Sequence, residues 1–530
     1  MKNIRTMCLF TITCFTLISL LSACSGVKKT ESADSMINAK GTSSNVQIQL
    51  SEEIQLDRGF KNDTEFNTES YNVINENQFL DSVNNPLSTF SIDVDTASYS
   101  NVRRFLNEGR KPPVDAVRIE ELINYFTYEY TRPQGEEPFS ITKEISKCPW
   151  NEKNNLLLIG MQGKKIETDN LPPSNIVFLL DVSGSMNDPN KLPLLKSGFK
   201  LLVDKLRKQD KVSIVVYAGA AGVVLDSTTG DNKDKILDAI SRLEAGGSTA
   251  GAQGIELAYK VAKENFIPSG NNRVILATDG DFNIGVSSDA QLTRMIEKKR
   301  NEGIFLTVLG FGSGNYKDSK MESLADKGNG NYAYIDNILE AKKVLVNEIG
   351  STLFTIAKDV KIQVEFNPTK VKAYRLIGYE NRLLNKEDFN NDSIDAGELG
   401  AGHSVTALYE LIPTDSDEEV SNVDELKYQQ SEVVPSDEIA TIKLRYKKPD
   451  EDESNLLSYT VEQQDIQDTP CSNLKFASTV AEFGLLLRDS KYKGSASYDS
   501  LLERAKECLN NDETGYRREF INLIEIADSL

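Results

Sequence analysis

The chain has 530 residues, a formal net charge of −20 and a sequence pI near 4.8. An acidic surface argues against nucleic acid or anionic lipid as a general partner, and the length suggests about three domains. The one histidine, His403, excludes a multi-histidine zinc site and all but excludes a Ser-His-Asp triad, and there is no glycine-rich nucleotide-binding loop.

Residues 1–23 open with Lys2 and Arg5, continue through an apolar run from Met7 to Leu21, and lead into Cys24. The run is too short and wrongly flanked for a stable span. Leu21-Ser-Ala-Cys24 is similar to the bacterial lipobox. That resemblance implies cleavage before Cys24 and acyl chains on it, so the expected anchor is lipid rather than a helix. Ser25 in the second mature position, with no acidic cluster in residues 25–30, implies the periplasmic side of an outer membrane, with the cell surface as the alternative. Residues 24–79 are polar and rich in Ser, Asn and Glu, and read as a flexible tether.

Residues 80–175 form an N-terminal module. Phe90, Ile92 and Val94 alternate as in a short strand. Asp95 or Thr96 is placed to cap a helix over Ser98–Asn107, and Asp93 with Asp95 offers a second cation site as the alternative. Lys111-Pro-Pro113 separates that helix from one over Val117–Phe126. Strand-like runs follow in residues 137–165, with Trp150 expected as a core plug in the turn between them, and residues 165–174 are a hinge.

Residues 176–358 alternate buried strands with amphipathic helices. The apolar run Ile176–Leu180 reads as a parallel strand buried on both faces. It ends in Asp181-Val-Ser-Gly-Ser185. A helix over Leu192–Lys208, a strand over Val212–Tyr217, an antiparallel edge strand over Gly222–Asp226 and a helix over Asn232–Leu243 follow. The polar turn Gly246–Ala250 offers Thr249 ahead of a helix over Ala252–Asn265. The strand Arg273–Thr278 ends in Asp279, with Asp281 and Asn283 in the loop beyond. Two more strands, at Ile304–Leu309 and Asn331–Ile335, are flanked by helices over Ser287–Glu302 and Tyr316–Lys327, and Leu339–Ala357 closes the domain. This rhythm predicts an α/β fold with a doubly wound, mostly parallel sheet. Its ligand belongs at the carboxyl ends of the strands. Asp181, Ser183, Ser185, Thr249 and Asp279 all offer oxygen there, which suits a hard divalent cation.

The set Asp181-x-Ser183-x-Ser185, then Thr249, then Asp279 resembles the metal-ion-dependent adhesion site of a von Willebrand factor type A domain, without a departure from the family pattern. The resemblance implies Mg²⁺, or Mn²⁺ or Ca²⁺, touched directly or through its water shell by the hydroxyls of Ser183, Ser185 and Thr249. Asp181 and Asp279 act mostly through water or through the serines. One coordination position is open to a partner's carboxylate, and a hydroxyl-rich shell leaves the ion under-neutralised, so an acidic side chain gains strongly. A narrower resemblance runs through Phe90–Phe126, Phe476–Ser490 and Tyr516–Ile524 to a bacterial family of lipoproteins with a central A domain.

Residues 359–470 change to period-two patterning, as in Val360, Ile362, Val364 and Phe366, and predict an antiparallel, sandwich-like module. Asp415–Val434 is a long acidic loop. Because the strands before residue 176 have no sheet of their own, they are expected to pair with this module, which leaves the A domain inserted in it. Residues 471–530 are a helical C-terminal module: Phe476, Val480, Phe483 and Leu487 form one apolar face, and Arg504, Lys506, Arg518 and Glu519 are placed on wet faces. Cys471 and Cys508 are a candidate pair, while Cys148 is expected to be buried and free. The resulting expectation is a non-enzymatic envelope lipoprotein that binds a partner protein bearing Glu or Asp, with no nucleotide. A structural scaffold with a non-bridging metal is the alternative. A metal-assisted hydrolase using Asp181, Asp279 or Asp281 as base is the third reading.

Overall fold

A computed structural model describes residues 69–530 apart from 168–170, 249–250, 281–288, 315, 349–353, 421–433, 435 and 510–511. The leader, Cys24, Thr249, Asp281 and Asn283 therefore lie outside the described residues, as does most of the acidic loop after residue 420.

The described chain begins with β1 (Leu80–Asp81), β2 (Leu87–Ser91), α1 (Ala97–Asn107), α2 (Ile119–Asn124) and the hairpin β3 (Phe139–Cys148) and β4 (Asn151–Gly163). The α/β segment runs β5 (Ser174–Asp181), α3 (Leu192–Val203), β6 (Lys211–Tyr217), β7 (Ala221–Thr229), α4 (Lys233–Ser241), α5 (Gly251–Glu264), β8 (Asn271–Thr278), α6 (Asp289–Asn301), β9 (Ile304–Phe311), α7 (Asp318–Lys327), β10 (Tyr332–Ile335) and α8 (Ile338–Lys342). Then come β11 (Thr355–Phe366), β12 (Val371–Ile377), β13 (Gly397–Gly400), β14 (Ser404–Pro413), β15 (Ala440–Lys447), β16 (Asn455–Val461), α9 (Ser472–Leu487), α10 (Tyr498–Glu507) and α11 (Tyr516–Ser529).

The α/β sheet has the order β10-β9-β8-β5-β6-β7, parallel throughout except for β7 at the edge. Its central strand shows why a continuous apolar run was required. Ile176, Phe178 and Leu180 pack into the core on one face, and Val177 and Leu179 into the core on the other. Each fully buried side chain of this kind contributes about 1.5–3 kcal/mol. Helices cover both faces, so the fold is the doubly wound, mostly parallel α/β sheet that the sequence predicts.

The second body is a β-sandwich. One sheet runs β1-β12-β14-β4-β3, and the other runs β13-β11-β15-β16 with β2 beside β11. β4 pairs with β14 from Asn155–Leu411 to Gln162–Ser404, so strands from before and after the α/β segment share one sheet. The two inner faces meet through residues such as Phe90, Leu157, Ile159, Ile362, Val364 and Tyr409.

Several expectations need correction. In the stretch Leu339–Ala357, expected to close the α/β domain, a short α-turn passes into π-helical Lys343–Asn347, and the sandwich strand β11 already begins at Thr355, where the alternation of Ala357, Val360 and Ile362 faces the sandwich core. The polar stretch before residue 80 is tied down from Glu69 onward, where Glu69 pairs with Arg104 and Ser70 bridges to Lys317. Neither Asp95 nor Thr96 caps α1, because Asp95 is engaged elsewhere, as described below. In the C-terminal module, α9 is buried on nearly every side, since α2, α10 and α11 surround it. Gly484 lets α2 approach so closely that a Cβ there would lie 2.7 Å from Ile119 Cγ1. Two residues placed on wet faces are used internally: Arg504 pairs with the buried Glu482, and Glu519 lies 2.9 Å from Arg103. Cys471 and Cys508 remain thiols, and the Cys471 sulfur accepts from Leu474 N at the start of α9.

Candidate metal centre

β5 and β8 are neighbouring parallel strands, so their carboxyl ends open on the same edge of the sheet. Asp181 is the last residue of β5 and Asp279 the first after β8, and both are buried. Asp181 Oδ1 accepts from Ser183 N at 2.8 Å and Oδ2 from Thr278 Oγ1 at 3.2 Å, with the Tyr217 hydroxyl also beside it. Burial pushes the Asp181 carboxyl above the usual carboxylate range. The Ser183 hydrogen bonds oppose that shift, and the nearby Asp279 charge adds to it. Asp181 thus acts on the loop by orienting it.

The oriented loop brings the Ser183 and Ser185 hydroxyls to 3.0 Å of each other. It is stitched to the turn that precedes Thr249: Gly184 N donates to Gly247 O at 3.0 Å and Gly246 N to Val182 O at 2.8 Å. Gly247 has φ +82°, a conformation a side chain disfavours. Behind the site, Gly254 on α5 lies so close to β6 that a Cβ would be 2.8 Å from Tyr217 Cβ. That close contact fixes the helix leading out of the Thr249 turn.

The structure therefore brings Asp181, Ser183, Ser185 and Asp279 to one end of the sheet, with Thr249 outside the described residues. Clustered hydroxyls beside two buried carboxylates are an all-oxygen donor set, which fits a hard divalent cation. Sequence reasoning missed three further participants: Thr278, Tyr217 and Lys191. Lys191 Nζ lies 3.1 Å from Asp279 Oδ2 and 3.7 Å from Asp188 Oδ2, with the residue 8% exposed. A lysine immediately before α3 opposes the helix macrodipole, and that local conflict was the available signal.

A second acidic cluster lies elsewhere. Asp95, Glu121 and Glu322 are buried and offer oxygens within 4.8 Å of one another, close enough to share a cation. The cluster expected from Asp93 and Asp95 is thus built from a different trio. Two arginines enter it. Arg382 lies 3.3 Å from Asp95 and 3.0 Å from Glu322, and Arg118 pairs with Glu121 and with Asp318 at 2.8 Å. Asp95 also accepts from Tyr332 N at 2.7 Å. These contacts join the N-terminal module to α7 and to the start of β10.

His403, just before β14, lines a cavity of about 740 Å³ with Tyr128, Tyr130 and Asn347. Burial, reinforced by the Lys343 charge, pushes its pKa down to about 4. It belongs to the sandwich sheet and not to the strands that carry the metal-site residues. Cys148 is buried and free.

Three family models match successive parts of the chain: "von Willebrand factor" over residues 65–158, "von Willebrand factor type A domain" over 175–346, and "Uncharacterized protein YfbK, C-terminal" over 351–530. The chain is 43% identical to the uncharacterized protein YfbK of Escherichia coli strain K12, across 87% of this chain and 82% of that one. It is 30% identical to the uncharacterized protein sll0103 of Synechocystis, across 35% of this chain and 43% of that one. Among solved structures, a von Willebrand factor type A protein from Catenulispora acidiphila is 16% identical, covering 75% of this chain and 92% of that one, with a TM-score of 0.40.

Proposed function

The chain belongs to the family of von Willebrand factor type A domain proteins related to YfbK, and from that premise we propose that it is an envelope protein that captures an acidic side chain of a partner protein at a divalent cation. The carrying observation is the pairing of a buried, pre-oriented Asp181 loop with Asp279 across adjacent strands, with the Ser183 and Ser185 hydroxyls together between them in sequence. Ser183, Ser185 and Thr249 would hold Mg²⁺, directly or through its water, and Asp181 and Asp279 would orient that shell. When bound, the cation supplies an electrophilic position for a carboxylate. The hydroxyls contribute no charge, so the partner's Glu or Asp would be the charged group in direct contact with the ion. We read the site as one that binds rather than turns over its ligand, in keeping with the paired Ser183 and Ser185 hydroxyls as its donors.

The test is a pull-down from envelope extract with the full chain as bait. A partner captured in Mg²⁺ is expected to be lost in EDTA, and Asp279→Ala is expected to bind as weakly as the chelated protein. Full capture by Asp279→Ala would reject the bridge. It would favour the scaffold reading, which the ion pairs joining α7 to the N-terminal module support.

The lipid anchor at Cys24 belongs to the same proposal, with the chain held at the periplasmic face of the outer membrane. The support is Leu21-Ser-Ala-Cys24 after a short apolar run. No helix among the described residues is long and apolar enough to cross a membrane. Cys24→Ser is expected to move the protein from the membrane fraction to the soluble fraction on fractionation, and unchanged membrane association would reject the anchor.

A further inference from the structure

Lys191 occupies a place prepared for it. Its backbone N donates to Asp188 O at 3.0 Å, which closes the turn after the Asp181–Ser185 loop and leads directly into α3. Its stem lies along Gly312, where a Cβ would be 2.3 Å from Lys191 Cε and 2.9 Å from Cγ. Gly312 also has φ +79°, so both its conformation and the lysine's path disfavour a side chain there. The ammonium then reaches Asp279 Oδ2 at 3.1 Å. A cation at a helix N-terminus is unfavourable by itself. A buried ammonium is costly unless it is paired, and here Asp279 pairs with it. The two site carboxylates carry −2 in their ionised forms, and Lys191 brings the set to −1.

A divalent ion drawn to this carboxylate pair meets the lysine's charge. Asp188, 3.7 Å from the same nitrogen and with its side chain 67% exposed, is a second acceptor on the solvent side. Resting on the adhesion-site reading above, we propose that Lys191 is a tethered counter-cation of the site. Its ammonium holds Asp279 when no divalent ion is bound and passes to Asp188 when one arrives. The loops keep their arrangement without metal, and divalent affinity is set below what the oxygen donors alone would give.

Lys191→Met keeps the stem beside Gly312 and deletes the charge. Mn²⁺ and Mg²⁺ alone are titrated into the full chain by calorimetry, at one pH, with wild type and variant in parallel. The variant is expected to bind at least tenfold more tightly, and its metal-free Tm is expected to fall below wild type and to recover in excess Mg²⁺. Equal or weaker binding by the variant overturns the proposal while leaving the adhesion-site reading intact. If neither protein takes up either ion, both readings fall. A second measurement needs no variant: acetylation of Lys191, read by mass spectrometry, is expected to rise several-fold when Mg²⁺ is added to wild type, and an unchanged yield counts against the exchange.

Discussion

Replacing Arg382 by Met is expected to cost about 3–5 kcal/mol of stability at pH 8, the loss typical of removing one partner from a buried ion pair. The guanidinium lies 2.7 Å from Asp326, 3.0 Å from Asp93 and Glu322, and 3.3 Å from Asp95, with its side chain 9% exposed. It arrives from the loop after β12 and meets carboxylates of the N-terminal module and of α7, so one side chain joins three segments. Methionine leaves Asp95 and Glu322 buried and Asp93 and Asp326 half-buried without that partner, with Arg118 as the remaining cation close by. Burial already outweighs Arg382 in the native protein: it pushes Asp93 up to about 7 and Asp95 well above the ordinary range.

The direction of the pH dependence follows. A carboxyl whose folded pKa is raised contributes stability that is complete below its unfolded value, near 3.8, and is lost as pH rises through the folded value, here about 7 for Asp93. Without Arg382 the folded values rise further, so the variant's deficit is expected to be larger at pH 8 than at pH 5.5. Urea denaturation followed by circular dichroism at the two pH values measures this. A deficit under about 1 kcal/mol at pH 8 would show that the cluster contributes no more than an exposed pair, and equal deficits at the two pH values would show that its carboxyls do not titrate in this range.

Trp150→Ala is expected to destabilise the fold by about 3–5 kcal/mol, the range for deleting a large buried aromatic. Trp150 is 1% exposed, in the turn between β3 and β4, and packs in the core shared with α2, α9 and α11. Its Nε1 donates to Glu410 Oε2 at 3.4 Å. Glu410 is also held by Arg375 at 2.7 Å and by Asn154 at 2.8 Å. The Trp150 carbonyl accepts from Ser495 N at 2.9 Å, which ties the sandwich hairpin to the segment between α9 and α10. Deletion therefore opens a cavity where two modules meet. As the only tryptophan, it also reports that junction in wild type. Its emission is expected to be blue-shifted and to change together with the far-ultraviolet transition. A red-shifted emission, or a loss below about 1 kcal/mol in the variant, would mean that Trp150 faces solvent and acts as a platform for a ligand.

Local chemistry determined much of this protein. An apolar run buried on both faces needs neighbours on both edges and helices above and below, so Ile176–Leu180 specified a central parallel strand without further information. The oxygen donors were legible for the same reason: they end strands, and strand ends in such a sheet share one edge. Alternation in Val360–Phe366 likewise specified β11. Three-dimensional packing decided what spacing does not encode. Asp95 looked like a helix cap, but the β10 amide and Arg382, 287 residues away in sequence, take its oxygens. Arg504 and Glu519 looked like wet-face residues until neighbouring helices supplied buried partners for them. Lys191 stood in sequence as one charge before a helix. Its role depends on Asp279, 88 residues on, and on the space left by Gly312. Hydrophobic periodicity is a local property, so the chain determined its own elements and the edge where the donors gather. A charge is defined by what surrounds it, and only the tertiary structure decided which carboxylate each buried cation would meet.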